Sequence, residues 1–188
     1  RSLPIPRKIM QTPFSWLSPD LQGNVLIALS VLSLTLMKML SEIGRDLAIR
    51  NEHIPFGIIN LEFPWTEERA ASIVKVWSGR GLVGKAVQQT ELDFILLLLY
   101  PAALSLAGTM VVGSGDGPLA AAVSFFSWAV LLCTPLDAFE NLMILRMLSG
   151  SSASPVPQLT TISAGLKFLL VASSVVSMLS MLALKALR

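Results

Sequence analysis

FILLLLYPAALSLAGTMVVGSG (residues 94–115), then Asp116, then GPLAAAVSFFSWAVLLCTPL (residues 117–136) is the stretch that decides the fold. Two charge-free runs meet at one aspartate set among Gly113, Ser114, Gly115, Gly117 and Pro118. A helix that crosses a hydrocarbon core of ~30 Å needs about 20 predominantly apolar residues. A Gly- and Pro-rich break between two such runs reads as the turn of an antiparallel hairpin.

Outward from this hairpin the same pattern recurs on both sides. Residues 21–37 carry no charge between Asp20 and Lys38, and Met147–Leu184 is interrupted once, by Lys167. The chain of 188 residues is 53% hydrophobic and 14% charged, against about 25% charged in soluble domains. The expected fold is therefore an all-α integral membrane protein with four transmembrane helices, at about 21–40, 94–112, 119–147 and 159–187. Residues 1–19, with Pro4, Pro6, Pro13 and Pro19, are expected as an extended proline-rich arm. Residues 20–188 form a single membrane domain. A kink is expected at Pro101 and a kink or break near Pro135.

The loop 43–92 is the one substantial polar segment. Within it Pro64-Trp65-Thr66-Glu67-Glu68 reads as a helix start, with Thr66 as cap and acids in the first turn. Ala70, Ile73, Val74 and Trp77 follow at i, i+3, i+4 and i+7, so one or two amphipathic helices are expected here. Such a helix lies on the membrane surface or packs on the ends of the spans. Trp16, Trp65 and Trp77 are the candidate interface anchors.

Several functions are excluded within this chain by what it lacks. Cysteine occurs once, at Cys133, and histidine once, at His53. An intrachain disulfide, a thiol pair, a structural zinc site and bis-histidine haem ligation need more of these residues than are present. A formal charge of +2 without a basic block argues against nucleic acid as a partner. Gly79-x-Gly81-x-x-Gly84 matches a nucleotide fingerprint by letter, but no strand precedes it. No metal site and no catalytic residue are expected, and the chain is not expected to be an enzyme.

One constellation remains. Asp137, Glu140 and Asn141 stand at i, i+3 and i+4 on one helix face. In an antiparallel bundle this end adjoins Asp93, Arg146 follows along the same helix, and Lys167 enters the last span from the same side. Charges at membrane depth are costly and face a partner or a water-filled cavity. Three uses are open for these six groups: an ion-pair network that fixes helix register, a contact with another subunit, and a proton or ion path. The first two spans carry no charge in their middle thirds, which weighs against a path across the membrane. Small residues at Ser173, Ser177 and Ser180, at Ala103 and Ala107, and at Ala120 and Ser124 suit close helix packing.

Leu92-Asp93-Phe94 with Tyr100, Asp137-x-x-Glu140-Asn141 and Leu166-Lys167 resemble segments of small four-helix membrane proteins of bacteria. That resemblance covers most of the chain and implies the same four-helix fold, but no activity. Glu140…Arg146-Met147-Leu148-x-Gly150 differs in spacing from the Glu…Arg-x-x-Met-x-Gly helix of light-harvesting chlorophyll proteins.

The functional expectation is an accessory, non-catalytic subunit of a multi-subunit energy-converting membrane complex, a photosystem or a respiratory assembly. The alternative is a small transporter or channel built on the acidic and lysine cluster. Partners would be membrane lipids and other membrane subunits. No cofactor is required, although lipid, carotenoid or chlorophyll could bind peripherally, with Asn141, Glu140 or a carbonyl on magnesium. A chain beginning at Arg1 is expected to be organelle-imported, into the thylakoid or mitochondrial inner membrane. Both termini lie on one side of a four-span protein. That side carries Arg1, Arg7, Lys8, Lys185 and Arg188 against Asp20 and Asp116, so it is expected to be stromal, matrix or cytoplasmic.

Overall fold

The computed structural model describes residues 11–187. The first ten residues of the expected arm lie outside the described residues. Of the rest, Pro13–Leu17 turns rather than extends. Gln22 Nε2 donates to the carbonyls of Phe14 and Leu17, both at 3.1 Å, and Trp128 Nε1 donates to that of Gln11 at 2.8 Å. These bonds fold the segment back onto the bundle.

The spans form where they are expected. Helix α1 covers Pro19–Gly44, with Pro19 in its first turn, where its missing N–H costs nothing. After a polar connection come α2 (Ile59–Glu62), a single turn, and α3 (Glu67–Gly79). Helix α4 is Val83–Val112, and α5 (Pro118–Ala129) leads through a 3-10 turn, Val130–Leu132, into α6 (Cys133–Leu148). The last span, α7, is Val156–Ala186. Four of these stretches are long and apolar enough to cross a membrane, so the protein is an all-α integral membrane protein.

Proline chemistry explains two local features. Pro101 lies inside α4 without ending it. Its ring removes the donor that the carbonyl of Leu97 would otherwise receive, and Thr134 Oγ1 supplies a replacement from α6 at 2.8 Å. Such a repair is needed where no water can solvate the freed carbonyl. Pro135 sits in the first turn of α6, directly after the 3-10 turn, so the third span tightens there but continues as one helix.

The chain runs down α1, through the cap of residues 45–82, up α4, down α5–α6 and up α7. Gly44, Val83, Leu148 and Val156 therefore share one face, and Pro19, Val112, Pro118 and Ala186 the other. Helix α4 packs against α1, α5, α6 and α7, whereas α1 packs chiefly along α4 and is only 11% buried over its most apolar window.

Helix α3 is capped as expected, Thr66 Oγ1 accepting from Arg69 N at 3.2 Å. Its apolar stripe packs onto the ends of the spans. Ile73 and Trp77 are fully buried among Leu47, Ile54, Ile144 and Met147. The expectation that Trp77 anchors at a membrane interface is therefore corrected. Its indole N–H donates to the carbonyl of Leu47 at 3.0 Å inside the cap core. Trp16 and Trp65 are exposed. Among the small residues of α4, α5 and α7, Ala103, Ser105, Gly108, Ala120, Ser124, Ser127, Ser174 and Ser177 are buried, whereas Ser180 is exposed and Ser173 and Ala107 are half-buried.

Candidate functional site: a lysine among carboxylates beside a membrane-side cavity

Lys167 is the hub of the site. It lies eleven residues into α7, so about 16 Å from the start of that helix at ~1.5 Å per residue. Its ammonium is 2.7 Å from Asp137 Oδ1, 3.0 Å from Glu140 and 3.8 Å from Glu62 Oε2. Asp137 and Glu140 are 2% and 1% exposed, one helical turn apart on the inner face of α6. Asp137 also accepts a hydrogen bond from Tyr100 Oη of α4, at 2.5 Å. Two turns earlier on α4 stands Asp93, which accepts from Asn141 Nδ2 at 2.8 Å.

Five of the six residues expected to converge do so: Asp93, Asp137, Glu140, Asn141 and Lys167. Arg146 does not. Six residues beyond Glu140 the helix has turned by about 240°, and the Arg146 side chain is exposed near the end of α6.

Two further members, Tyr100 and Glu62, stand outside the six residues expected to converge. Tyr100 lies just past the middle of α4. Glu62 closes the single turn α2 and is carried to the cluster by the cap. Phe63 holds that turn against α7, its ring 5.8 Å from that of Phe168. Burial pushes the Glu62 carboxyl above the ordinary carboxylate range, against the opposing pull of Lys167. Its Oε2 is buried and has no hydrogen-bond partner among the described residues.

Three carboxyl groups thus lie within 3.8 Å of one ammonium, and a fourth, Asp93, lines the same cavity. Uncompensated charge in a low-dielectric interior costs several kcal/mol per ion, so the cluster as a set must hold protons or a further cation. Cys133 Sγ, the one thiol of the chain, contacts the carbonyl of Lys167 at 3.8 Å. No group of three or more His, Cys, Asp or Glu among the described residues is arranged to hold a metal ion.

The cluster opens onto a cavity of about 630 Å³ between α1, α4 and α7. Glu62, Asp93, Asp137 and Lys167 form its polar end, and Leu34, Leu96, Leu104, Phe168 and Val171 line its apolar walls. Cavities of roughly 300–1,000 Å³ with apolar walls and a few convergent polar groups are typical of small-molecule sites. Glu62 and Asp93 also line a second cavity of about 40 Å³ on the cap side, together with Gln89, Thr90 and Asn141.

Ser33 of α1 completes the polar end. It is 5% exposed, lines the larger cavity, and its Oγ has no hydrogen-bond partner among the described residues. Other buried hydroxyls on the spans bond backbone carbonyls, Thr90, Ser124 and Ser127 those four residues back in their own helix at 2.7–2.9 Å, Ser105 and Ser163 those of Ser127 and Leu136 on a neighbouring helix. Ser33 lies eleven residues before Gly44, and Asp93 ten residues after Val83. At ~1.5 Å per residue both stand about 15 Å from the cap face, level with Lys167.

No protein-family model matches this chain, and neither a curated protein nor a solved structure matches it.

Proposed function

We propose that this protein binds a small amphipathic molecule taken from the bilayer, with the polar head at the Lys167 cluster and the apolar part along α4 and α7. One observation carries this reading. A buried charged cluster forms one end of a cavity whose remaining walls are apolar and whose flanking helix, α1, is held mainly by α4. A network that only fixed helix register would be closed by side chains on every face.

The role is that of a holder or carrier, not an enzyme. A transporter of protons or ions is the less favoured use of the same cluster. Among the described residues, the buried polar groups beyond it are hydroxyls bonded to backbone carbonyls, not ionisable side chains. Native mass spectrometry of the chain released from its own membranes tests the proposal. The expected result is one small bound molecule, lost in Ser30→Phe, which fills the apolar part of the cavity. A chain that always emerges bare would overturn it.

A second reading has its own support. The broad exposed face of α1, with Ile27, Val31 and Leu34 among its outward side chains, suits contact with a neighbouring membrane subunit as well as with lipid. On this reading the chain is an accessory subunit of an energy-converting complex in a thylakoid or mitochondrial inner membrane, its termini on the stromal or matrix side. Migration of the native particle as a lone chain in mild detergent would count against it. Pigment travelling with a larger particle would place it in a photosynthetic membrane.

A further inference from the structure

We infer that the head taken by the cavity is an organic ammonium, on a single-chain amphiphile whose tail runs towards the middle of the bilayer. The inference rests on the binding role proposed above and names its ligand class.

Charge comes first. Lys167 directs its hydrogen bonds at Asp137 and Glu140, while Glu62 lies farther away at 3.8 Å. Asp93 has the uncharged amide of Asn141 as its hydrogen-bond donor. Glu62 and Asp93 are therefore the two carboxyls on the cavity wall without a cation at hydrogen-bond distance. A second cation placed between them converts an acid excess into paired, hydrogen-bonded charges, the condition under which buried charge is tolerated.

Hydrogen bonding points the same way. The buried, unpartnered hydroxyl of Ser33 faces the cavity at the level of the acids. An ammonium offers several donors; carboxylates at Glu62 and Asp93 and the Ser33 oxygen can each accept one. A carboxylate or phosphate head would meet the carboxyls of Glu62, Asp93 and Asp137 at the same wall, where the one ammonium, Lys167, is already paired with Asp137 and Glu140.

The apolar walls fix the rest. Leu104 lies twenty-one residues into α4 and Val171 fifteen into α7, about 31 Å and 22 Å from the cap face at ~1.5 Å per residue. The cavity thus extends from the charged level towards mid-bilayer. A metal ion would leave that apolar volume unused. A double-chain lipid exceeds a volume of about 630 Å³.

The test uses the full chain in phosphatidylcholine nanodiscs, with equilibrium binding of three probes that share a sixteen-carbon chain: hexadecylammonium, hexadecanol and hexadecanoate. Empty nanodiscs supply the background. Saturable binding of the ammonium at least tenfold tighter than of the other two is expected. Loss of that preference in Asp93→Asn and in Glu62→Gln is expected as well. Equal saturable binding of the alcohol, displaced by Ser30→Phe, overturns the ammonium head and leaves the binding role standing. Absence of saturable binding for all three overturns both. Because the ranking is read on the unmodified protein, a variant that fails to fold does not decide the outcome.

Discussion

The two halves of the bundle handle buried polarity in opposite ways. In the half beneath the cap, polar side chains bond across helices to one another: Lys167 with Asp137 and Glu140, Tyr100 with Asp137, Asn141 with Asp93. In the half towards the termini, hydroxyls bond backbone carbonyls: Thr109, Ser124, Ser127 and Ser177 those of their own helices, and Ser105 alone among these that of a neighbour, Ser127. Hydroxyls satisfied at home let helices approach closely and ask nothing of a neighbour. Charges shared between helices make each partner depend on the next. The half towards the termini is a packing device, and the half beneath the cap holds the molecule's potential for chemistry.

The largest expected effect attacks that dependence. Lys167→Met should remove the ammonium and leave Asp137 and Glu140 facing each other at 2% and 1% exposure. Breaking a buried pair by deleting one partner costs about 3–5 kcal/mol, so unfolding in detergent should shift by that amount. Adding Glu140→Gln to Lys167→Met should restore part of the loss. If the single variant unfolds like the unmodified chain, the cluster is hydrated and the contrast between the halves fails.

Gly108→Leu probes the other half. A Cβ at Gly108 would run into the Ser127 side chain of α5, and Met178 of α7 stands just behind. Overpacking of this kind costs about 1–3 kcal/mol. The loss should appear in unfolding alone, with amphiphile binding at the opposite level of the bundle unchanged. A change in binding would mean that the two halves are coupled.

Much of this contrast was legible in the sequence, for reasons that differ by element. The four spans follow from charge-free runs, and the start at Pro19, the Thr66 cap and the turn before Pro118 follow from local Pro, Thr and Gly chemistry. Asp137, Glu140 and Asn141 follow from helical spacing, and antiparallel topology brings Asp93 and Lys167 to them. Glu62 was not legible, because only the path of the cap and the Phe63–Phe168 contact deliver it. Ser33 reads as an ordinary serine on a lipid-facing helix until its missing partner is seen. The stripe ending at Trp77 announces a buried face, but not whether lipid or protein covers it.

Glu62 offers a finer test, through pH. It lies outside the spans, near Lys167, Asp93, Asp137 and Glu140, and burial raises its carboxyl above its ordinary value of 4.5. The folded chain then binds a proton that the unfolded chain has released. Its contribution to stability is full below that ordinary value and is lost as pH rises through the folded value. Unfolding midpoints should accordingly fall as pH climbs from about 4.5. Glu62→Gln should flatten that decline. An identical pH profile in the variant would assign the titration elsewhere.

The smallest expected effect belongs to Arg146, and it sharpens the boundary of the cluster. Its side chain is exposed in the last turn of α6. There a cation gains only about 0.3–1 kcal/mol from the helix dipole, and surface substitutions away from special features stay within about 0.5 kcal/mol. Arg146→Ala should therefore move the unfolding midpoint little and leave ammonium binding as it was. Its combination with Lys167→Met should be additive within about 0.3–0.5 kcal/mol, as for sites that share no partner. Lys167→Met with Glu140→Gln, which do share one, should depart from additivity by more. Non-additivity at Arg146 would extend the cluster to the end of α6.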